Sequence, residues 1–203
     1  MGDGMTNLIR KRFDGYLPVV VDVETSGVDP FKHGLLEIAA IPLLMSEDKQ
    51  LITGESCIIH VLPFEGASLD PAALAVTKID PFHPFRFAVE ESVALERLFQ
   101  HVATAVKQTQ CRRAVLVGHN AHFDLSFIQS AMKRCKITKS PFHAFTCFDT
   151  ATLSGLIYGK TVLAKALAVA EIPFDSTQAH SALYDATQTA ALFCQIVNQY
   201  AAT

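Results

Sequence analysis

The feature that most constrains this chain is the stretch Leu17–Gly27, LPVVVDVETSG, in which an apolar run leads directly into Asp22 and Glu24 before a turn at Thr25-Ser26-Gly27. A strand alternates faces with period two, so the two acids leave the same face of one strand end. They then stand about 7 Å apart, and like charges so placed repel unless a cation lies between them. Carboxylate oxygens suit hard divalent ions such as Mg2+ or Mn2+. A lone D-x-E is also what a solvated strand end looks like, so the rest of the chain has to decide.

The 203 residues suffice for one domain with a sizeable core, and 1–203 reads as a single domain with a basic segment at 1–14. No apolar run approaches the roughly 18 residues of a membrane span, and no apolar stretch of a secretion signal follows the N-terminus. The five cysteines, Cys57, Cys111, Cys135, Cys147 and Cys194, are odd in number, scattered and never in a C-x-x-C pair. That pattern suits reduced thiols in a cytoplasmic protein and argues against a disulfide framework or zinc knuckle. Net charge is −3, yet ten of the 17 Lys and Arg fall in three clusters: Arg10, Lys11, Arg12; Lys107, Arg112, Arg113; and Lys133, Arg134, Lys136, Lys139. Clustered base on an acidic chain suits a phosphate backbone, although solvated helix ends give the same pattern.

Leu35–Leu44 and Ser56–Leu62 read as further strands, joined to the first by polar connections short enough for antiparallel hairpins. Pro42 marks a sheet edge or a strand end. The Pro- and Phe-rich segment Pro63–Val89 reads as a surface connection with one helical piece at Pro71–Val76. Beyond it, helical spacing covers Ser92–Thr109, Phe123–Cys135, Thr150–Tyr158, Thr161–Ala170 and Ser181–Tyr200, with short strands at Ala114–Val117 and Phe145–Phe148. The expected fold is α/β, a mixed sheet with flanking helices.

Two later motifs point back to the first acids. In VGHNAHFD, Asp124 opens a helix directly after a strand; the helix dipole alone also favours an acid there. In QAHSALYD, His180 and Asp185 are five residues apart, about 140° off one helical face. They meet one point more easily if His180 lies in the loop before the helix. Four carboxylates, Asp22, Glu24, Asp124 and Asp185, with two metal ions match in-line displacement at phosphorus. A histidine, with an ordinary pKa near 6.5, is suited to take a water's proton at neutral pH.

DVETSG, HNAHFD and AHSALYDA resemble the three motifs of the DEDDh 3′→5′ exonucleases, and the resemblance covers nearly the whole chain. LLEIAAI, GASLDPAALAV, PFHAFTCFDTATLSGL and FDSTQAHSALYDATQTAALF narrow it to the ribonuclease T branch. The resemblance implies an RNase H-like fold, two Mg2+ ions replaceable by Mn2+, and a homodimer. It further implies trimming of single-stranded 3′ ends of tRNA and of rRNA precursors, with activity on single-stranded DNA. It casts Asp22, Glu24, Asp124 and Asp185 as metal ligands and His180 as the base. It also makes Phe123 and Phe145 stacking platforms for terminal bases. Val28, Val76 and Ala72 stand where that branch has two more aromatic residues and a glutamate, which leaves the terminal-base preference open. The resemblance also implies that one protomer's basic surface serves the other's site, with Arg12, Arg112 and Arg113 leading and Lys133 and Lys139 next.

Other readings stay open at this point. A DNA-directed proofreading or repair exonuclease would carry the same acids, because the contacts that read a 2′-hydroxyl are not visible in sequence. A non-catalytic nucleic-acid-binding module would have had no need to keep all five reactive residues. A zinc site at His119 and His122 has only an H-x-x-H spacing in a turn, without the intervening glutamate of helical zinc enzymes.

Overall fold

The computed structural model describes residues 3–200, with side chains from Leu8 onward, so residues 1, 2 and 201–203 of the one-domain reading lie outside the described residues. Strand β1 (Tyr16–Thr25) is the middle of the sheet. It pairs antiparallel with β2 (Leu35–Met45) on one side and parallel with β5 (Arg113–Gly118) on the other. β5 in turn runs parallel to β6 (Phe142–Asp149). The far side of β2 is shared by two short strands, β3 (Leu51–Thr53) and β4 (Cys57–His60). Leu17, Val19, Val20 and Val21 are buried without a break, as in a strand covered on both faces.

Parallel neighbours need a crossover. Helix α3 (Glu91–Gln108) lies on the return that brings β5 beside β1, and α4 (His122–Arg134) is the crossover between β5 and β6. These two helices pack on each other and on the sheet, while α7 (Ala182–Gln199) lies along β1, β2 and β3. A smaller apolar cluster, centred on Ala166, Leu167, Leu192 and Ile196, joins α7 to α5 (Thr150–Tyr158) and α6 (Leu163–Val169). The remaining helices are α1 (Asp3–Arg12) and α2 (Pro71–Thr77).

Several sequence expectations need correction. Pro42 is neither at the sheet edge nor at a strand end; it lies inside β2, opposite Val19. A residue's nitrogen and carbonyl point to the same side of a strand, and the Pro42 carbonyl accepts from Gly54 N–H at 2.7 Å. The missing donor therefore faces the break between β3, whose pairing ends at Leu43, and β4, whose pairing begins at Ala40. Proline sits where no ladder bond is required of it. β3 falls in a segment expected to be a plain connection, and three residues are too few for a periodic signal. β6 starts at Phe142 rather than Phe145. The basic segment near the N-terminus is helical, anchored by the buried side chain of Ile9.

Candidate active site

β1 outruns its parallel neighbour: the last β1–β5 pair is Val20 with Val117. Beyond it the N–H of Val23 has no strand partner on that side, and the carboxylate of Asp124 accepts from it at 3.0 Å. Asp124 reaches that point from the first turn of α4, where the helix dipole favours an acid. Gly118 permits the approach, since a Cβ there would stand 2.9 Å from Ala121 Cα and 3.2 Å from Asp124 Oδ2. The crevice beyond the carboxyl ends of parallel strands is where open α/β sheets bind ligands.

Asp22 and Glu24 enter this crevice from β1, and Asp185 from the first turn of α7. His180 lies just before that helix, as its spacing suggested, with φ of 67° in the left-handed region. Its backbone N–H donates to Asp185 Oδ2 at 3.0 Å. Donor atoms of Glu24, His180 and Asp185 all lie within 4.8 Å of one another. Glu24 and Asp124 are buried, Asp22 and Asp185 half-buried, and His180 exposed.

Crowding governs the electrostatics. Burial, and then the charges of Asp124, Glu24, Asp185 and Glu37, push the Asp22 carboxyl well above its ordinary range. Burial, followed by Asp185, Glu37 and Asp124, pushes Glu24 up to about 8. Burial pushes Asp124 up to about 8 against the opposing hydrogen bond from Val23. Asp185 is raised by burial too, against the His180 N–H and the His180 charge. Acids that hold protons only because they are buried together are a site that a hard divalent cation relieves. The donor set thus fits a divalent metal ion.

One acid of this neighbourhood went unremarked in the sequence. Glu37 is buried and sits opposite Glu24 in the β1–β2 register. Its Oε2 accepts from Ala182 N–H at the start of α7 (3.3 Å), and its Oε1 lies 3.1 Å from Nδ1 of His60 on β4. One side chain thus joins β2, β4 and the helix that carries Asp185. Its signal was an acid within an apolar strand, LLEIAAI. His60 stands in no sequence motif, and no local pattern announces its partner.

The other expected site residues separate into two groups. Phe123 is half-buried against Phe127, with ring centroids 4.9 Å apart. Phe145 is 81% exposed, its ring edge-on to His143. Val28, Val76 and Ala72 are exposed. Arg12, Arg112, Arg113, Lys133 and Lys139 are exposed as well, and Arg12, Arg112 and Arg113 stand at the other end of the sheet. Arg113 pairs with Tyr16, six residues before Asp22 on β1, about 20 Å away. Arg10, Lys11 and Arg112 line one shallow basin there, while Lys107, Arg112 and Arg113 line the next. Arg134, counted with the third cluster, is structural: its guanidinium pairs with Glu91 at 2.6 Å and lies 4.1 Å over the Phe64 ring. His119 binds Thr150 and the Thr161 carbonyl through its two ring nitrogens, which leaves neither for zinc.

A family model described as "Exonuclease" (RNase_T) matches residues 19–193. Ribonuclease T of Yersinia enterocolitica is 54% identical over 96% of this chain and 90% of its own length. Ribonuclease T of Marinobacter nauticus is 54% identical over 94% and 86%. Among solved structures, E. coli exonuclease I in complex with a dT13 oligonucleotide superposes with a TM-score of 0.71 at 18% identity. This match covers 91% of this chain and 42% of exonuclease I, so this chain spans less than half of that protein. A full-length 3′-exonuclease gives a TM-score of 0.72 at 16% identity, over 90% of this chain and 60% of that one. These two likenesses show the fold alone, a mixed sheet with flanking helices shared with both exonucleases. With identity above one half to named relatives over almost its whole length, the chain belongs to the ribonuclease T family of 3′→5′ exoribonucleases.

Proposed function

We propose that this chain, acting as a single exonuclease domain, trims single-stranded 3′ ends of tRNA and of rRNA precursors in the cytoplasm. It acts on single-stranded DNA as well and releases nucleoside 5′-monophosphates. The observation that carries this reading is the convergence of Asp22, Glu24, Asp124 and Asp185 on one crevice, with His180 at its mouth. Among the described residues, no helix is long and apolar enough to cross a membrane.

The four carboxylates would hold two Mg2+ ions, or Mn2+ in their place. Such a pair supplies an activated water and stabilisation of the leaving oxygen. Asp124, fixed by the Val23 N–H, and Glu24, buried beside Glu37, form the rigid side of the site. Asp185 and His180 form the side open to solvent, coupled by the His180 N–H. An imidazole nitrogen of His180 accepts the proton of the attacking water, and its exposure lets it pass that proton on. Phe145 and Phe123 stack the terminal bases. With Val28, Val76 and Ala72 at the remaining clamp positions, discrimination among terminal bases is weak while cleavage is unaffected.

The basic surface lies about 20 Å from the acids along β1. A homodimer in which each protomer's Arg12, Arg112 and Arg113, with Lys133 and Lys139, hold RNA for its partner's site resolves this separation. The test of the reaction is digestion of 5′-labelled single-stranded RNA and DNA with Mg2+ or EDTA. Shortening from the 3′ end that needs the metal is expected. Internal cuts, or cleavage undiminished by EDTA, would overturn the reading.

A further inference from the structure

The connection between α2 and α3 holds a surface that the reaction does not use. Phe82, Phe85 and Phe87 are 65%, 78% and 81% exposed, within eight residues of sequence, DPFHPFRF. Three large rings so exposed within six residues concentrate apolar surface on one short segment, and exposed apolar patches mark binding sites. Pro84–Arg86 forms a 3-10 turn, capped at its start by His83, whose Nδ1 accepts from Phe85 N–H. Phe87 closes the turn at φ of 50°, a conformation bulky residues rarely adopt. The His83 and Phe85 rings lie 5.6 Å apart.

Arg86 fixes this turn to the sheet. Its Nη1 donates to the Pro81 carbonyl at 2.7 Å and its Nη2 to the Leu36 carbonyl at 2.6 Å. Leu36 lies between Leu35, which pairs with Thr25, and Glu37, which pairs with Glu24. The Leu36 carbonyl also accepts from Val61, so Arg86 approaches from the β4 side of β2. Two strand spacings, about 10 Å, therefore separate the turn's anchor from the catalytic strand, at the end of the sheet where the acids lie. Helix α2, tied to Ser26 at the end of β1 by the Asp70 N–H, leads directly into this segment.

We propose that Phe82, Phe85 and Phe87 form a stacking platform for bases of the single-stranded substrate upstream of the 3′-terminal nucleotides. A 3′ end engaged by the carboxylates must leave its preceding nucleotides at this end of the sheet. Exposed rings held on a rigid turn offer π-faces to any base, which gives affinity without sequence preference. The segment holds aromatic rings and prolines, with one isoleucine, Ile79, before it, so its apolar surface is nearly all ring. This inference rests on the exonuclease reading, and its test separates the two.

The experiment compares the parent with two triple variants, Phe82→Leu/Phe85→Leu/Phe87→Leu and Phe82→Ala/Phe85→Ala/Phe87→Ala. It measures kcat/KM on single-stranded RNA oligomers of about 3 and about 12 nucleotides, a length contrast chosen to include or omit stacked upstream bases. Sedimentation and thermal unfolding accompany each variant. In both variants the ratio of long to short kcat/KM should fall about tenfold or more. Binding of the longer oligomer in an Asp124→Asn background should weaken alike. Equal rates on both lengths relative to the parent would overturn the platform. So would a Leu variant that behaves as the parent while the Ala variant changes its association state, which would mark a protein interface. A parent inactive on both oligomers would overturn the exonuclease reading itself.

Discussion

Asp124 shows how a residue takes on a role that its local sequence leaves ambiguous. An acid in the first turn of a helix has a sufficient reason to be there in the dipole alone. What changes its meaning is the end of β5 at Gly118, which leaves Val23 N–H for it and brings it among three other acids. Raised carboxyl values have a definite consequence for stability. Glu24 and Asp124, near 8 in the folded protein, bind protons more tightly folded than unfolded. Their contribution is fully present below the ordinary carboxylate range and is lost as pH rises through about 8. The metal-free protein in EDTA should melt lower at about pH 8.5 than at about pH 6. Added Mg2+ should raise Tm more at the higher pH, where the acids are free of protons to hold it; thermal scans at both pH values measure this. A second expectation separates base from ligand. His180→Ala should cut kcat sharply while the Mn2+ affinity, read by calorimetry, stays within about twofold of the parent. A collapse of metal affinity would place His180 among the ligands.

Elements were legible wherever a period had room to repeat. α5 agrees with its expected span, Thr150–Tyr158, and α3, α4 and α7 agree to within a residue or so at each end. β3 was invisible because three residues carry no alternation, and α1 because a polar basic run, with Ile9 its buried anchor among the described side chains, shows no repeating apolar face in sequence. Pro42 misled because proline reports on local hydrogen bonding, and a break between two neighbouring strands looks locally like an edge. The acids and histidine of the candidate site were legible from three short motifs, while Glu37 with His60 was not, because its partners are 23 and 145 residues away. Glu37 fastens the start of α7 to the sheet, so its loss belongs to the scale of the element. Glu37→Ala leaves the Ala182 N–H without its acceptor and takes the carboxylate from beside His60, at a cost of about 1–3 kcal/mol. The melting temperature should drop, and kcat should fall more than KM changes because Asp185 and His180 follow α7. Glu37→Gln, which keeps an acceptor for Ala182, should recover most of the stability. An alanine variant as stable and as fast as the parent would contradict this role.

At the scale of the molecule, two charge centres stand apart: the acids converge at one end of β1, and Arg10, Lys11, Lys107, Arg112 and Arg113 gather at the other. The net charge of −3 conceals this, and only the position of Tyr16 opposite Arg113 reveals it. Acids attract metal and repel a polyanion, so substrate affinity has to come from the basic end. If that end serves a partner's site, two inactive proteins should complement each other. Asp22→Asn and Arg12→Ala/Arg112→Ala/Arg113→Ala, unfolded and refolded together, would give mixed dimers with one intact patch facing one intact site. Activity should return; mixed dimers that form and stay inactive would place the patch in service of its own chain. The claim beneath all of this is that four carboxylates act together through metal. It is tested most directly by the Mg2+-dependent rate of 3′-end shortening in Asp124→Asn, compared with the parent at equal folded concentration. Loss of even an outer partner of a metal ligand costs about 10–100-fold. The account therefore predicts a fall of more than about 100-fold, with the fold intact and RNA still bound. A variant that shortens RNA at a near-parental rate with Mg2+ would contradict it.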